Sequence, residues 1–90
     1  MSRAVIAVFP GDGIGPEVTA EAVAVLEQLA SRHDLQLTFD AGRIGGGAID
    51  ATGVPLPPDE LTRAQRADAV LLGAVGGPKW DDPRAKVRPE

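Results

Sequence analysis

The stretch Val75-Gly76-Gly77-Pro78-Lys79-Trp80-Asp81, followed closely by Arg88-Pro89-Glu90, concentrates residue types suited to holding a ligand. Two glycines allow a sharp turn or close backbone approach, and Pro78 fixes the exit direction. Lys79 and Trp80, the only tryptophan, put a cation beside a flat apolar face. An anionic or planar ligand suits that set. Because an apolar run over 69–75 comes immediately before it, the stretch reads as a binding loop at the end of a strand. The competing reading is an ordinary turn in which Trp80 plugs the edge of the core.

A second glycine-rich stretch, Gly11-Asp12-Gly13-Ile14-Gly15, lies between an apolar run and a helical pattern, where a dinucleotide fold would cradle phosphates. The spacing argues against that use. Here the glycines are two apart twice, whereas the dinucleotide fingerprint needs a third glycine three after the second, and Asp12 sets a negative charge where a phosphate would approach. Asp40 falls 25 residues after Gly15 and reads either as a mimic of the ribose-binding acid or as a solvated strand end. Read simply, the three glycines build a tight strand-to-helix turn, and Asp12 is free to cap backbone amides.

The elements that must position these loops follow from periodicity. Residues 4–9 form a continuous β-favouring apolar run, which suits a central strand covered on both faces. From Pro16 to about Arg32, Val18, Ala22, Val25, Leu26 and Leu29 recur at helical spacing opposite Glu17, Glu21, Glu27 and Gln28, which predicts a surface helix. Leu35, Leu37 and Phe39 alternate with Gln36, Thr38 and Asp40, so the second strand has a polar face and belongs near a sheet edge. The stretch 42–58 is rich in glycine and proline, with Ala48-Ile49-Asp50 as a short helical turn; a second short helix follows over 59–67, then a third, doubly covered strand over 69–75. Strand, helix, strand, irregular helix, strand is the order of an α/β layer with right-handed crossovers.

Composition sets outer limits. Ninety residues make one small domain that buries only about 60 to 65% of its unfolded surface. With 43% hydrophobic and 24% charged residues the chain reads as globular, and it has neither an apolar run of membrane-spanning length nor an export leader. A cytoplasmic location is the expectation. The absence of cysteine excludes disulfides and thiolate metal sites, and a single histidine, His33, excludes a multi-histidine zinc site within one chain. A net charge of −4 speaks against a nucleic-acid partner. Four of the nine basic side chains (Lys79, Arg84, Lys86, Arg88) nevertheless fall in residues 79–90, against three acids there, which makes that end either weakly anion-attracting or simply a solvated charged loop.

Four phrases, in order, carry a resemblance. Phe9-Pro10-Gly11-Asp12-Gly13-Ile14-Gly15-Pro16-Glu17-Val18, Gly46-Gly47-Ala48-Ile49-Asp50, Leu71-Leu72-Gly73-Ala74-Val75-Gly76-Gly77-Pro78-Lys79-Trp80 and Arg88-Pro89-Glu90 together resemble the isopropylmalate dehydrogenase family. The opening phrase is shared with the wider group of β-decarboxylating dehydrogenases. The Gly-Gly-Pro-Lys-Trp phrase points to isopropylmalate. What the resemblance implies is a three-layer α/β fold, with helices on both faces of the sheet, of the isopropylmalate dehydrogenase kind rather than Rossmann. Residues 1–90 would be the N-terminal part of the cofactor-binding first domain.

The activity implied is NAD-dependent oxidation of 3-isopropylmalate, with a divalent metal (magnesium or manganese), followed by decarboxylation, in leucine biosynthesis by a cytoplasmic homodimer. In such enzymes NAD lies partly on the segment matching Gly77, Pro78, Lys79, Trp80, Asp81, Asp82 and Pro83, continuing through Arg84, Ala85, Lys86, Val87, Arg88, Pro89 and Glu90. Glu90 matches a glutamate where cofactor and substrate sites meet, and Ile14 matches a residue near the adenosine part. The catalytic and metal-binding residues of the family match nothing within these 90 residues, so Asp50, Asp81 and Asp82 are read as loop acids and the chain alone is expected to be inactive. The other class of function is a small non-catalytic α/β module that kept part of a nucleotide loop and acts by binding or association.

Overall fold

The computed structural model describes residues 2–77. Three parallel strands, β1 (Ser2–Gly11), β2 (Leu35–Ala41) and β3 (Ala69–Ala74), form one sheet in the order β2-β1-β3. Helix α1 (Gly15–Arg32) links β1 to β2, and α2 (Gly45–Thr52) and α3 (Pro58–Arg66) link β2 to β3. The central place of β1 follows from its apolar run. Ala7, Val8 and Phe9 are successive and all buried, so both faces of the strand are covered.

Register is fixed at both ends of the sheet. Ser2 pairs with Leu35 and Val8 with Ala41 on one side of β1, and Ile6 pairs with Ala69 and Gly11 with Ala74 on the other. At the amino end of β3, the Val5 amide donates to the Asp68 carboxylate at 2.7 Å while the Asp68 amide donates to the Val5 carbonyl at 2.8 Å. This reciprocal pair pins the start of the strand and prevents a one-residue slip that would turn its side chains to the wrong face.

Helix α1 differs from its periodicity in one respect. Its sheet-facing stripe is Gly15, Thr19, Ala22, Val23, Leu26 and Ala30, all buried or half-buried, whereas Val18, Val25 and Leu29 are 48%, 58% and 45% exposed. The reason is close approach. A methyl group at Gly73 on β3 would collide with the Thr19 hydroxyl and the Pro10 carbonyl oxygen, so the first turns of the helix approach β3 closely through Gly15 and Thr19, and Val18, Val25 and Leu29 lie on the outer flank.

Two further expectations change. The short turn at Ala48-Ile49-Asp50 is part of an eight-residue helix that begins with three glycines. Strand β3 lies at an edge of the described sheet rather than being covered on both faces, and Val70 and Leu72 are 52% and 57% exposed. The edge position expected of β2 is observed, as is the short helix α3, with Asp59 and Glu60 in its first turn and Arg63 and Arg66 in its last, matching the helix dipole.

Candidate functional site at the carboxyl ends of the strands

Because the chain runs from β1 to β2 on one side and then crosses to β3 on the other, the point where strand order reverses lies at the carboxyl ends of β1 and β3. Open parallel sheets bind their ligands there. The paired residues Gly11 and Ala74 mark the spot. Beyond them the backbone turns through positive φ at Gly11 (82°) and Gly13 (57°), conformations that glycine adopts without strain. The turn closes with the Gly15 amide donating to the Asp12 carbonyl at 2.8 Å, which confirms the tight strand-to-helix connection.

Asp12 is the centre of this turn. Its amide donates to the Ala74 carbonyl at 2.7 Å. Its carboxylate accepts three amides from two other segments: Gly46 at 2.6 Å and Gly76 at 2.9 Å on Oδ2, and Gly47 at 2.9 Å on Oδ1. Burial pushes the Asp12 carboxyl up, but the Gly76, Gly46 and Gly47 amides outweigh it and hold the group below the usual aspartate range.

The capping read from sequence is therefore real but points elsewhere. Helix α1, preceded by Ile14, has no side-chain cap, whereas α2, whose own preceding residue Ile44 offers none, receives its cap from Asp12. This bond explains why three glycines start a helix. Their high backbone entropy disfavours it, and a carboxylate fixed across the loop satisfies two of the otherwise orphaned amides.

Among residues expected at a cofactor site, Ile14 stands on the same end of the sheet and is 66% exposed. Gly77 follows directly on the clamped Gly76, and among the described residues a side chain at Gly76 would meet nothing within 4 Å. Pro78, Lys79, Trp80 and the residues through Arg88, Pro89 and Glu90 lie outside the described residues. Asp40 is not presented to this site: it pairs with Arg63, which also donates to Glu60 at 3.0 Å and so ties α3 to the end of β2. A separate open cleft of about 500 Å³ lies between the ends of β1 and β2, walled by Pro10, Gly42, Arg43, Thr52 and Glu60; neither Ile14 nor Gly77 lines it.

A family model described as isocitrate/isopropylmalate dehydrogenase matches residues 5–90. The chain belongs to that family. It is 67% identical, over 88 residues, to a 3-isopropylmalate dehydrogenase of Anaeromyxobacter dehalogenans, a match that covers 98% of this chain and 25% of that protein. It is 58% identical over 85 residues to the enzyme of the same name from Geobacillus kaustophilus, covering 94% of this chain and 23% of the relative. Among solved structures, the apo form of a β-decarboxylating dehydrogenase from Thermococcus kodakarensis superposes with a TM-score of 0.69 at 40% identity, over 87% of this chain and 22% of that one. The chain thus spans about a quarter of the length of the curated relatives it matches.

In this member of the isocitrate/isopropylmalate dehydrogenase family, the opening motif is more than a turn. Sequence reasoning found Asp12 and its capping capacity but not its partners. The signal was present in the glycine clusters at 45–47 and 76–77, whose amides lack side chains that would keep a carboxylate at a distance. Because the Gly46 and Gly47 amides are already taken, the amino terminus of α2 is not an open phosphate site. No helix of the described residues is long and apolar enough to cross a membrane.

Proposed function

We propose that these residues form the N-terminal part of the cofactor-binding domain of an NAD-dependent 3-isopropylmalate dehydrogenase. The enzyme oxidises the 2-hydroxy acid to a 2-oxo acid, which loses carbon dioxide to give 4-methyl-2-oxopentanoate in leucine biosynthesis. The observation that carries the reading is 67% identity across nearly the whole chain to a protein bearing that name. Bound NAD supplies the hydride acceptor. The chain's own residues bind and orient it: Ile14 offers an apolar contact to the adenosine part, and the turn at Gly76 and Gly77 brings backbone close to the cofactor before Pro78, Lys79 and Trp80. The base, the magnesium or manganese ligands and the substrate-binding groups belong to other parts of the enzyme, which acts as a cytoplasmic homodimer.

The test starts from the natural gene product. Its intact mass is expected to be several times that of this chain, and with isopropylmalate, NAD and manganese it is expected to form NADH and release carbon dioxide in equal amounts. A folded, monodisperse product of 90 residues, or a larger one without NADH formation, overturns the proposal.

A further inference from the structure

We propose that Asp12 is a positioning residue for the NAD-binding turn at Gly76 and Gly77, clamping residues 74–76 from both its main chain and its side chain, and thereby fixing where Gly77 begins. The inference rests on the cofactor reading above. It stands on geometry that no motif spells out. The Asp12 amide holds the Ala74 carbonyl at 2.7 Å and the Asp12 carboxylate holds the Gly76 amide at 2.9 Å, so the exit of β3 is gripped at two points, one residue apart on either side of Val75.

Between those points the chain leaves the sheet, and at Gly76 it takes a φ of 105°, which an unconstrained backbone would not hold uniquely. The same Oδ2 also accepts the Gly46 amide at 2.6 Å, and Oδ1 accepts Gly47 at 2.9 Å. One rigid carboxylate therefore joins the β1–α1 turn, the amino terminus of α2 and the start of the loop. There is little room for the side chain to move: a methyl group at Gly45 would stand 2.6 Å from Oδ2. With two amides on Oδ2 and one on Oδ1, backbone donors occupy most of the carboxylate's acceptor positions and fix its orientation.

A cap that served α2 alone would change stability and leave cofactor affinity untouched. A clamp on the loop changes both. In the complete enzyme, Asp12→Ala is expected to raise KM for NAD about tenfold or more, the scale of one charge-assisted hydrogen bond, while KM for isopropylmalate moves by less than about threefold. Asp12→Asn serves as the milder variant. Its single oxygen can keep either the Oδ2 pair or the Oδ1 bond but turns an NH2 group on the remaining amide, so the rise should be smaller than for alanine. Hydrogen exchange at the Gly46, Gly47 and Gly76 amides is read in the same variants.

Faster exchange at Gly76 together with the selective rise in KM for NAD is the expected result. Exchange that quickens at Gly46 and Gly47 only, with both KM values unchanged, overturns the inference and leaves Asp12 a helix cap. If the wild-type enzyme does not saturate with NAD, the cofactor reading fails on its own. The clamp is then judged by exchange at Gly76, and unaltered protection there overturns it.

Discussion

The carboxylate of Asp12 accepts the amide hydrogen of Gly76 at 2.9 Å, joining positions 64 residues apart. That bond closes the ring of loops at the carboxyl ends of the strands. It makes the first glycine-rich turn and the last described one a single unit, and the predictions below follow from the packing around it.

Acid should weaken this unit in a defined window. The folded pKa of Asp12 is lowered because the three amides outweigh the opposing effect of burial. A carboxyl with a lower pKa when folded adds stability above its ordinary value of 3.8 and loses it as pH falls through the folded value. The difference in urea midpoint between wild type and Asp12→Asn should be constant at neutral pH and shrink below about pH 4. A difference that grows with acid would contradict the bond.

Gly73→Ala should be costly despite adding one methyl group. That methyl collides with the Pro10 carbonyl oxygen and the Thr19 hydroxyl, forcing α1 away from β3, and a loss of about 1 to 3 kcal/mol is expected in denaturant titrations of the complete protein. Gly53→Ala is the contrast. It meets no atom of the described residues within 4 Å, so its expected cost is that of the positive φ of 87° at the end of α2.

Thr19 carries a buried hydroxyl oxygen with no hydrogen-bond partner among the described residues, and the residue is 4% exposed. Replacing it by valine keeps the shape and removes an unsatisfied polar group, so Thr19→Val should raise stability by about 1 kcal/mol. A loss of stability would show that the hydroxyl is satisfied after all.

Gly77→Val tests the cofactor loop directly. A branched side chain where backbone and NAD approach each other should raise KM for NAD more than KM for isopropylmalate, with little change in the melting temperature of the enzyme without cofactor. Lowered stability with an unchanged KM for NAD would make the turn structural only.

The 90 residues by themselves should be inactive and marginal. The buried hydrophobic residues among those described are Ala7, Val8, Phe9, Ala30 and Ala48, while edge strand β3 exposes Val70 and Leu72. Sedimentation should show association, and heating should give no sharp transition. A monomer with cooperative melting and a sharp near-ultraviolet signal from Trp80 would reverse this.

Local patterns made much of the architecture legible. The unbroken apolar run at Val5-Ile6-Ala7-Val8-Phe9 marked the central strand, the alternation from Leu35 to Phe39 marked an edge strand, and Pro16 marked the start of α1. These features depend on residues close in sequence, whose periodicity reports directly on burial. The glycine-rich motifs located the carboxyl ends of the strands, and four ordered phrases pointed to the family that the comparisons show.

Tertiary structure alone decided which small residues of α1 face the sheet, why Gly45-Gly46-Gly47 begins a helix, and whose amides Asp12 holds. The physical reason is common to all three. Each depends on a contact between segments far apart in the chain, where the absence of a side chain permits approach, and the spacing of residues along one segment carries no record of what another segment brings against it.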